Sequence, residues 1–273
     1  MNIWRERRLL DFACEPSNYN LRVTRTPLWT ALVLLACAAP RTSAADAVDR
    51  VSRTLALPAG RGIRLDATIA DLTIVGSNRS DVSVEIVRHA PQTGDFVRFP
   101  VVIDSTPDGV RVAVVQTEDG RDARLKSDII VRAPADAVLE AVRVFEGRVR
   151  VSALTRGCDV DLRRGPIEVT AIAGRIRLES GIGSVDVRDS TLTAGGMMRL
   201  RVFNGPIRVR FARPPASARI LAVTFNGSVT SDIPLAMRDT FGPRFGEATI
   251  GSGDPVMSLD VVKGDIAISV DKR

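Results

Sequence analysis

Aromatic side chains and histidine are scarce in this sequence of 273 residues. Aromatic residues make up 4% of the chain, and Trp4, Tyr19 and Trp29 all lie before residue 45, so phenylalanine is the one aromatic type beyond it. Sugar-processing clefts usually carry tryptophan or tyrosine platforms, which this later part lacks. With His89 as the single histidine, a metal site that needs two imidazoles within one chain is excluded. We therefore predict no metal and no cofactor, and we expect His89 to be an ordinary surface histidine.

Lysine is also rare, because arginine supplies almost all of the positive charge. The 38 Lys and Arg residues exceed the 32 Asp and Glu residues by only six. Such a small excess does not fit a protein that coats nucleic acid. The hydrophobic content of 45% is normal for a globular protein, so the chain is not predicted to be disordered.

A short apolar run near the N-terminus is typical of a secretory signal. The run occupies residues 28–39, follows two arginines, and precedes small residues that permit cleavage after Ala44 or Ala45. A membrane-spanning helix needs about 20 apolar residues, so this run is too short to cross a bilayer. We predict that residues 1–45 form a leader and that the mature protein is exported to the periplasm or outside the cell.

The cysteines bear on both membrane anchoring and stability. Residues 34–37 loosely resemble a lipobox, and acylation of Cys37 is therefore the alternative that would anchor the protein to the envelope by lipid. Membrane association is expected only in that case. Beyond the leader Cys158 is the single cysteine, so an exported chain cannot form an internal disulfide. We expect Cys158 to be a small, partly buried side chain rather than a reactive thiol.

Beyond the leader, apolar and polar residues alternate with the period of β-strands. The alternation is clearest in five segments bounded by Gly, Pro, Asp or Asn, namely 63–65, 72–74, 82–86, 110–114 and 129–131. Val and Ile dominate the apolar positions, and no segment of a dozen residues keeps a helical apolar stripe without Gly or Pro. The mature chain is therefore predicted to be all-β, beginning with a β region and cap over residues 46–135.

From residue 136 onward the alternation becomes a repeat that is led by glycine. A turn glycine precedes an apolar-polar-apolar triplet at positions 147, 157, 165, 174 and 183, and looser copies follow positions 205, 227 and 264. Steps of 8 to 10 residues are too short for a propeller blade or a leucine-rich repeat. One triplet cannot bury itself, whereas stacked coils pair equivalent strands in parallel. We predict a parallel β-helix-like solenoid over residues 136–273.

A stack of strands has two open ends, and it competes with another fold. Exposed end strands invite edge-to-edge pairing, so we expect residues 46–70 and Val261–Asp271 to act as caps. The alternative fold is an antiparallel β-sandwich, which shows the same alternation but has no repeated glycine register. Parallel pairing within residues 147–187 favours the solenoid, and hairpins there favour the sandwich.

Several segments resemble the bacterial putative-adhesin domain family. They are Ile129 to Ala137, the glycine-led triplets, Phe225 to Val229 and the closing segment Val262 to Ile268. The resemblance covers about residues 60–270 and rests on structural glycines, so it carries no catalytic residue over to this chain. It implies a right-handed β-helix-like scaffold, exported or held in the envelope, with no established enzyme activity.

Arginine is concentrated in residues 143–213, which hold fourteen arginines and seven acids. Six of these arginines belong to triplets whose stacking would align them as a basic stripe: Arg148, Arg150, Arg175, Arg177, Arg208 and Arg210. Guanidinium groups pair well with carboxylate, phosphate and sulfate, so an anionic envelope glycan, lipopolysaccharide or another envelope protein is the expected partner. Nucleic acid is disfavoured, because no aromatic residues alternate with the arginines. The simpler interpretation of the stripe is a soluble outer face.

A carbohydrate-active enzyme, a lyase or a hydrolase, is the alternative to a non-catalytic scaffold. Such enzymes need clustered carboxylates on one exposed face. Asp159 and Asp161 project from one face of a predicted strand, and Glu168, Glu179 and Asp186 lie on adjacent coils. Each acid has an arginine within a few residues, so we interpret the set as a surface ion-pair ladder and predict no catalysis.

Overall fold

The structure is a computed structural model that describes residues 46–58, 60–117, 121–238 and 242–271. These residues belong to one compact unit, Ala44–Arg273. The predicted signal run, the cleavage positions Ala44 and Ala45, and Cys37 lie outside the described residues.

Within the described ranges, no helix has the length and apolar character that a membrane crossing requires.

The described chain is all-β, as the alternation predicts. It contains one short 3-10 helix, Thr93–Arg98, and each of the five alternating segments lies in a strand. The strands are β1 (Ala47–Ala56), β2 (Gly62–Ser77), β3 (Asp81–Ala90), β4 (Val101–Thr106), β5 (Gly109–Val114), β6 (Lys126–Pro134), β7 (Val138–Ser152), β8 (Cys158–Arg164), β9 (Ile167–Thr170), β10 (Ile176–Ile182), β11 (Val185–Arg188), β12 (Met197–Asn204), β13 (Ile207–Phe211), β14 (Ala218–Asn226), β15 (Val229–Ser231), β16 (Ala236–Arg238), β17 (Arg244–Ile250), β18 (Val256–Lys263) and β19 (Ile266–Val270).

Hydrogen bonds join these strands in one large sheet whose pairings are mostly parallel. The pairings form two ladders that share the long strands β2 and β7. The N-terminal half of each of these strands belongs to the first ladder and the C-terminal half to the second. The first ladder runs β4, β5, β2, β7, β8, β10, β12, β18, β14, β17, β16. The second ladder runs β1, β3, β6, β2, β7, β9, β11, β13, β19, β15.

Residues 147–187 pair in parallel throughout. Residues 18 positions apart lie side by side, as Val149 does with Ile167 and Ile167 does with Val185. The distance between alternate glycines in the sequence is therefore one full step along a ladder. These residues do not form the hairpins that an antiparallel sandwich requires. The antiparallel pairings involve β1, β3, β4, β16 and β17, which lie towards the ends of the ladders.

The expectation that Val261–Asp271 caps the stack is wrong, because the C-terminal strands lie inside the ladders. β18 pairs in parallel with β12 on one side and with β14 on the other. β19 lies between β13 and β15 in the same way. The chain forms β14 and β15, turns back through β16 and β17, and then inserts its last two strands. Residues 62–70 are also part of the ladders rather than a cap, since β2 pairs with β5, β6 and β7.

The inward side chains form one continuous aliphatic core. One column of neighbours in register, each fully buried, consists of Val149, Ile167, Val185, Ile207 and Ile266. Burying one such side chain stabilises the fold by roughly 1.5–3 kcal/mol. The buried Thr224 hydroxyl donates to the Gly264 carbonyl oxygen at 2.8 Å. Among the described residues no buried side-chain nitrogen or oxygen lacks a hydrogen-bond partner.

A column of glycines stands where the chain passes from the first ladder to the second. The φ angles of Gly165 and Gly183 are +130° and +152°, a region that side chains disfavour. A Cβ atom on Gly165 would lie 1.7 Å from the Gly147 carbonyl oxygen. One on Gly183 would lie 1.9 Å from the Gly165 carbonyl oxygen. Gly205, Gly264 and Gly227 continue the column, because a Cβ atom added to any of them would lie 1.9 to 2.2 Å from a backbone carbonyl oxygen. Neighbouring strands therefore approach too closely for any side chain at these positions.

Replacement of Gly183 by alanine is expected to lower the free energy of unfolding by about 3 kcal/mol or more, because the methyl group would collide with a backbone carbonyl. Gly195→Ala should cost about 1–2 kcal/mol, since its φ of +71° is unfavourable but nothing lies within 4 Å. Gly94→Ala has neither problem and should change stability by less than about 0.5 kcal/mol. Denaturant unfolding followed by circular dichroism measures all three. Equal losses at Gly183 and Gly195 would contradict the close approach.

Candidate functional site

The six arginines of the predicted stripe do not form one row. Arg148 and Arg150 lie on β7, and Arg208 and Arg210 lie on β13, so these four are exposed on the second ladder. Arg175 and Arg177 lie immediately before and within β10, on the first ladder. The structure therefore divides the set into a group of four and a group of two.

Five of these six arginines contact a carboxylate, because the strand register places opposite charges side by side. The guanidinium groups of Arg148 and Arg150 lie 3.6 and 3.4 Å from Glu168, Arg177 lies 3.3 Å from Asp159, Arg208 lies 3.3 Å from Asp186, and Arg210 pairs with Asp271. The Asp159 carboxylate also raises the pKa of the Arg177 guanidinium. Exposed pairs of this kind contribute little stability, but they leave these arginines already engaged.

The acids considered for catalysis are also divided between the ladders. Asp159, Asp161 and Glu179 lie on the first ladder, whereas Glu168 and Asp186 lie on the second. Four of the five contact an arginine within 3.6 Å, Asp161 being the other. Paired hydrolytic carboxylates must face one substrate across a short gap, and this arrangement does not assemble all five on one face.

Eight arginines between residues 143 and 213 contact no carboxylate within the described part of the chain. They are Arg143, Arg156, Arg163, Arg164, Arg175, Arg188, Arg199 and Arg213, and all are exposed. We use the name edge cluster for Arg156, Arg175 and Arg199. Arg156 lies two residues before β8, Arg175 lies immediately before β10, and Arg199 is the third residue of β12. The backbones of Arg156 and Arg175 are adjacent, since Cys158 donates to the Arg175 carbonyl oxygen at 2.9 Å. Arg199 neighbours Arg177 in register.

A groove that the sequence pattern does not predict lies at the opposite ends of the same strands. It has a volume of about 500 Å³ and is lined by both charged and apolar side chains, including Arg163, Arg164, Ile182, Phe203 and Val262. The sequence does contain a sign of this groove, because Phe203 and Phe225 occupy positions just before Asn-Gly turns where the pattern predicts polar residues. Without the strand pairing these two positions could not be recognised as close neighbours.

Cys158 is more deeply buried than the sequence predicts, whereas His89 lies at the surface as expected. Cys158 is 3% exposed, and its burial, with a smaller effect from Asp159, raises the pKa of its thiol to about 12. A thiol with so high a pKa is a poor nucleophile. The Nε2 atom of His89 lies 3.0 Å from an Asp128 carboxylate oxygen at the surface. No group of three or more metal-binding side chains occurs in the ranges that the structure describes.

The native Cys158 thiol should react with an aromatic disulfide at pH 8 at least about 100-fold more slowly than the same thiol in denaturant. The measurement uses the full chain with Cys14→Ser and Cys37→Ser, so that Cys158 is the single thiol. A second protein that also carries Ser80→Cys, at an exposed position, provides the control and should show one additional fast equivalent. Rapid labelling of Cys158 in the folded protein would contradict its assignment as a structural residue.

No protein-family model and no curated protein matches the chain. Among solved structures, a "putative cell adhesion protein" from Clostridium sporogenes is 10% identical with a TM-score of 0.48, over 82% of this chain and 100% of that one. A "putative adhesin" from Bacteroides fragilis is 12% identical with a TM-score of 0.37, over 82% and 97%. A "putative lipid binding protein" from Parabacteroides distasonis is 8% identical with a TM-score of 0.23, again over 82% and 97%. These names describe those proteins, and their similarity to this chain is limited to the identities and TM-scores given.

Proposed function

We propose that this chain is a non-catalytic, exported β-solenoid that binds an anionic polymer of the cell envelope in the manner of an adhesin. The polymer is a glycan or lipopolysaccharide that carries carboxylate, phosphate or sulfate groups. The edge cluster of Arg156, Arg175 and Arg199 is the contact surface. In this proposal the protein acts in the periplasm or outside the cell after removal of the leader.

The proposed solenoid is supported by backbone contacts outside the two ladders. The Thr191 amide donates to the Ile172 carbonyl oxygen at 2.8 Å, and neither residue belongs to a strand. The Ala173 amide donates to the Leu154 carbonyl oxygen at 2.8 Å. The loops that leave the second ladder therefore stack with the same period as its strands, as the third side of a coil would. Leu154 and Ile172 in these loops are buried.

The state of the surface acids favours a scaffold over an enzyme. A general acid or base must be free to exchange a proton with its substrate. Asp159, Glu168, Glu179 and Asp186 are instead held by arginines on neighbouring strands. The groups best placed for hydrolysis therefore act as partners in ion pairs.

The edge cluster is the observation that carries the choice of ligand. Its three guanidinium groups have no carboxylate contact among the described residues, so each can form bidentate hydrogen bonds with a phosphate or carboxylate group of a ligand. The predicted stripe is less suitable, because four of its arginines are already engaged. Arg150, Arg208 and Arg210 donate to Glu168, Asp186 and Asp271, and Arg148 forms an ion pair with Glu168. Of the stripe, Arg175 alone belongs to the edge cluster.

The full chain should be retained on immobilised lipopolysaccharide and alginate, but not on neutral dextran, at about 0.1 M NaCl. Retention should disappear near 1 M NaCl, where the Debye length falls from about 10 Å to about 3 Å. The triple variant Arg156→Ser, Arg175→Ser, Arg199→Ser is expected to weaken binding roughly tenfold, at about 0.5 kcal/mol for each contact.

The triple variant Arg148→Ser, Arg208→Ser, Arg210→Ser removes the same charge from paired positions and should weaken binding less than about threefold. Equal losses in both variants would show attraction by net charge alone and would overturn the edge cluster as the site. Release of new reducing ends from these polymers, abolished by Asp159→Asn and Asp161→Asn, would replace the scaffold by a carbohydrate-active enzyme.

A further inference from the structure

The first ladder ends in a row of exposed apolar side chains that is unlike the rest of its outer face. In register, Phe203 of β12 lies beside Val262 of β18, which lies beside Phe225 of β14. Phe203 is 64% exposed and Phe225 is 59% exposed. The exposed Ile182 at the end of β10 adjoins them. Such a contiguous exposed group is more than the isolated surface apolar residue that needs no explanation.

The row continues into the groove because one position carries no side chain. Gly181 lies between Arg163 and Phe203 in register, and beyond Arg163 the row ends at Phe145. A Cβ atom on Gly181 would lie 2.6 Å from the Arg163 carbonyl oxygen, so close packing of the strands also requires glycine here. The resulting notch forms a groove of about 500 Å³, within the size range of small-molecule sites.

The other side of the groove is positively charged. Arg163 and Arg164 have no carboxylate contact among the described residues, and both line the groove. The Arg164 and Arg121 guanidinium carbons lie 6.0 and 3.2 Å from the centre of the Phe145 ring. Two carboxylates, Asp161 and Glu179, also line the groove; Glu179 is held by Arg177 and Arg201 at 3.2 and 3.6 Å, and Asp161 precedes Arg163 by two residues.

We propose that this groove binds an amphiphilic anion with a single alkyl chain. The chain would lie against Phe203, Val262 and Ile182, where it removes apolar surface from water. The carboxylate or phosphate head group would accept hydrogen bonds from Arg163 and Arg164. A neutral polymer would leave the two arginines without a counter-charge, and a free inorganic anion would leave the apolar wall exposed. The site shares no residue with the edge cluster, so its test is independent of the proposed function.

Calorimetric titration of the full chain, below the critical micelle concentrations, tests the proposal with dodecyl phosphate and laurate. Both should bind at least about tenfold more tightly than dodecyl maltoside, which has the same tail and no charge, or dodecyltrimethylammonium, which has the opposite charge. Inorganic phosphate alone should bind far more weakly. Preference for dodecyl phosphate indicates a phospholipid-type head group and preference for laurate a fatty acid; either order supports the proposal.

Two variants separate the contributions of the two walls. Phe203→Ser should weaken dodecyl phosphate binding roughly tenfold, because the tail loses its main contact. Arg163→Gln with Arg164→Gln should weaken it by a similar factor while leaving the weak binding of dodecyl maltoside unchanged. The matched controls are Val97→Ser, at a residue that is 78% exposed elsewhere, and Arg188→Gln, and neither should change affinity. Unchanged thermal melting shows that each variant is folded.

Equal binding of anionic, neutral and cationic detergents would overturn the proposal, since it would indicate adsorption without a site. An unchanged affinity in Phe203→Ser would do the same. A dimer seen by light scattering that Phe203→Ser dissociates, in a protein that binds neither anion, would assign the apolar row to a second copy of the chain instead.

Discussion

The whole stack depends on the close approach of backbones in the glycine column. Each of the six glycines of the column lies so close to the carbonyl oxygen of the preceding residue in the column that no Cβ atom would fit; they are Gly147, Gly165, Gly183, Gly205, Gly264 and Gly227. This contact sets the step between neighbouring strands, and the step aligns Val149, Ile167 and Val185 in one buried column. Hydrophobic burial supplies the driving force, but it is non-directional. The glycines supply the register that makes burial continuous.

The same constraint explains which parts of the fold the sequence could predict. A glycine followed by an apolar-polar-apolar triplet reports a local turn and strand, so strands such as β9, β11 and β13 could be located from the sequence. The pairing partner of a strand could not be predicted in this way, because every triplet presents a similar pair of apolar residues to any neighbouring strand. β18 and β19 therefore looked like a terminal cap, although they pair between β12 and β14 and between β13 and β15. Their insertion depends on the turn back through β16 and β17, which interrupts the period.

The ion pairs at the surface are also determined partly by the local sequence pattern and partly by strand pairing. The alternation correctly identifies Arg150, Arg177 and Arg208 as exposed. Whether each of them forms an ion pair depends on the residue beside it on the neighbouring strand. Arg150 faces Glu168, and Arg177 faces Asp159. Arg199 faces Arg177 on one side and Ser258 on the other, so it stays without a carboxylate in the described chain. Across neighbouring strands, Arg150, Glu168, Asp186 and Arg208 form one row, so the arginines of the predicted stripe share that row with carboxylates.

A scaffold of this kind separates folding from recognition. The inward positions and the glycines are constrained by packing, while a change at an outward position alters neither the step nor the core. Groups that differ from the surrounding surface therefore require an explanation outside stability. The ion pairs on the outer faces are explained by their neighbours, but Phe203 and Phe225 are more than half exposed, and Arg163 and Arg164 contact no described carboxylate. Because Arg163, Arg164 and Phe203 line one groove, and Phe225 adjoins it across Val262, one ligand that is apolar at one end and anionic at the other accounts for this group of residues.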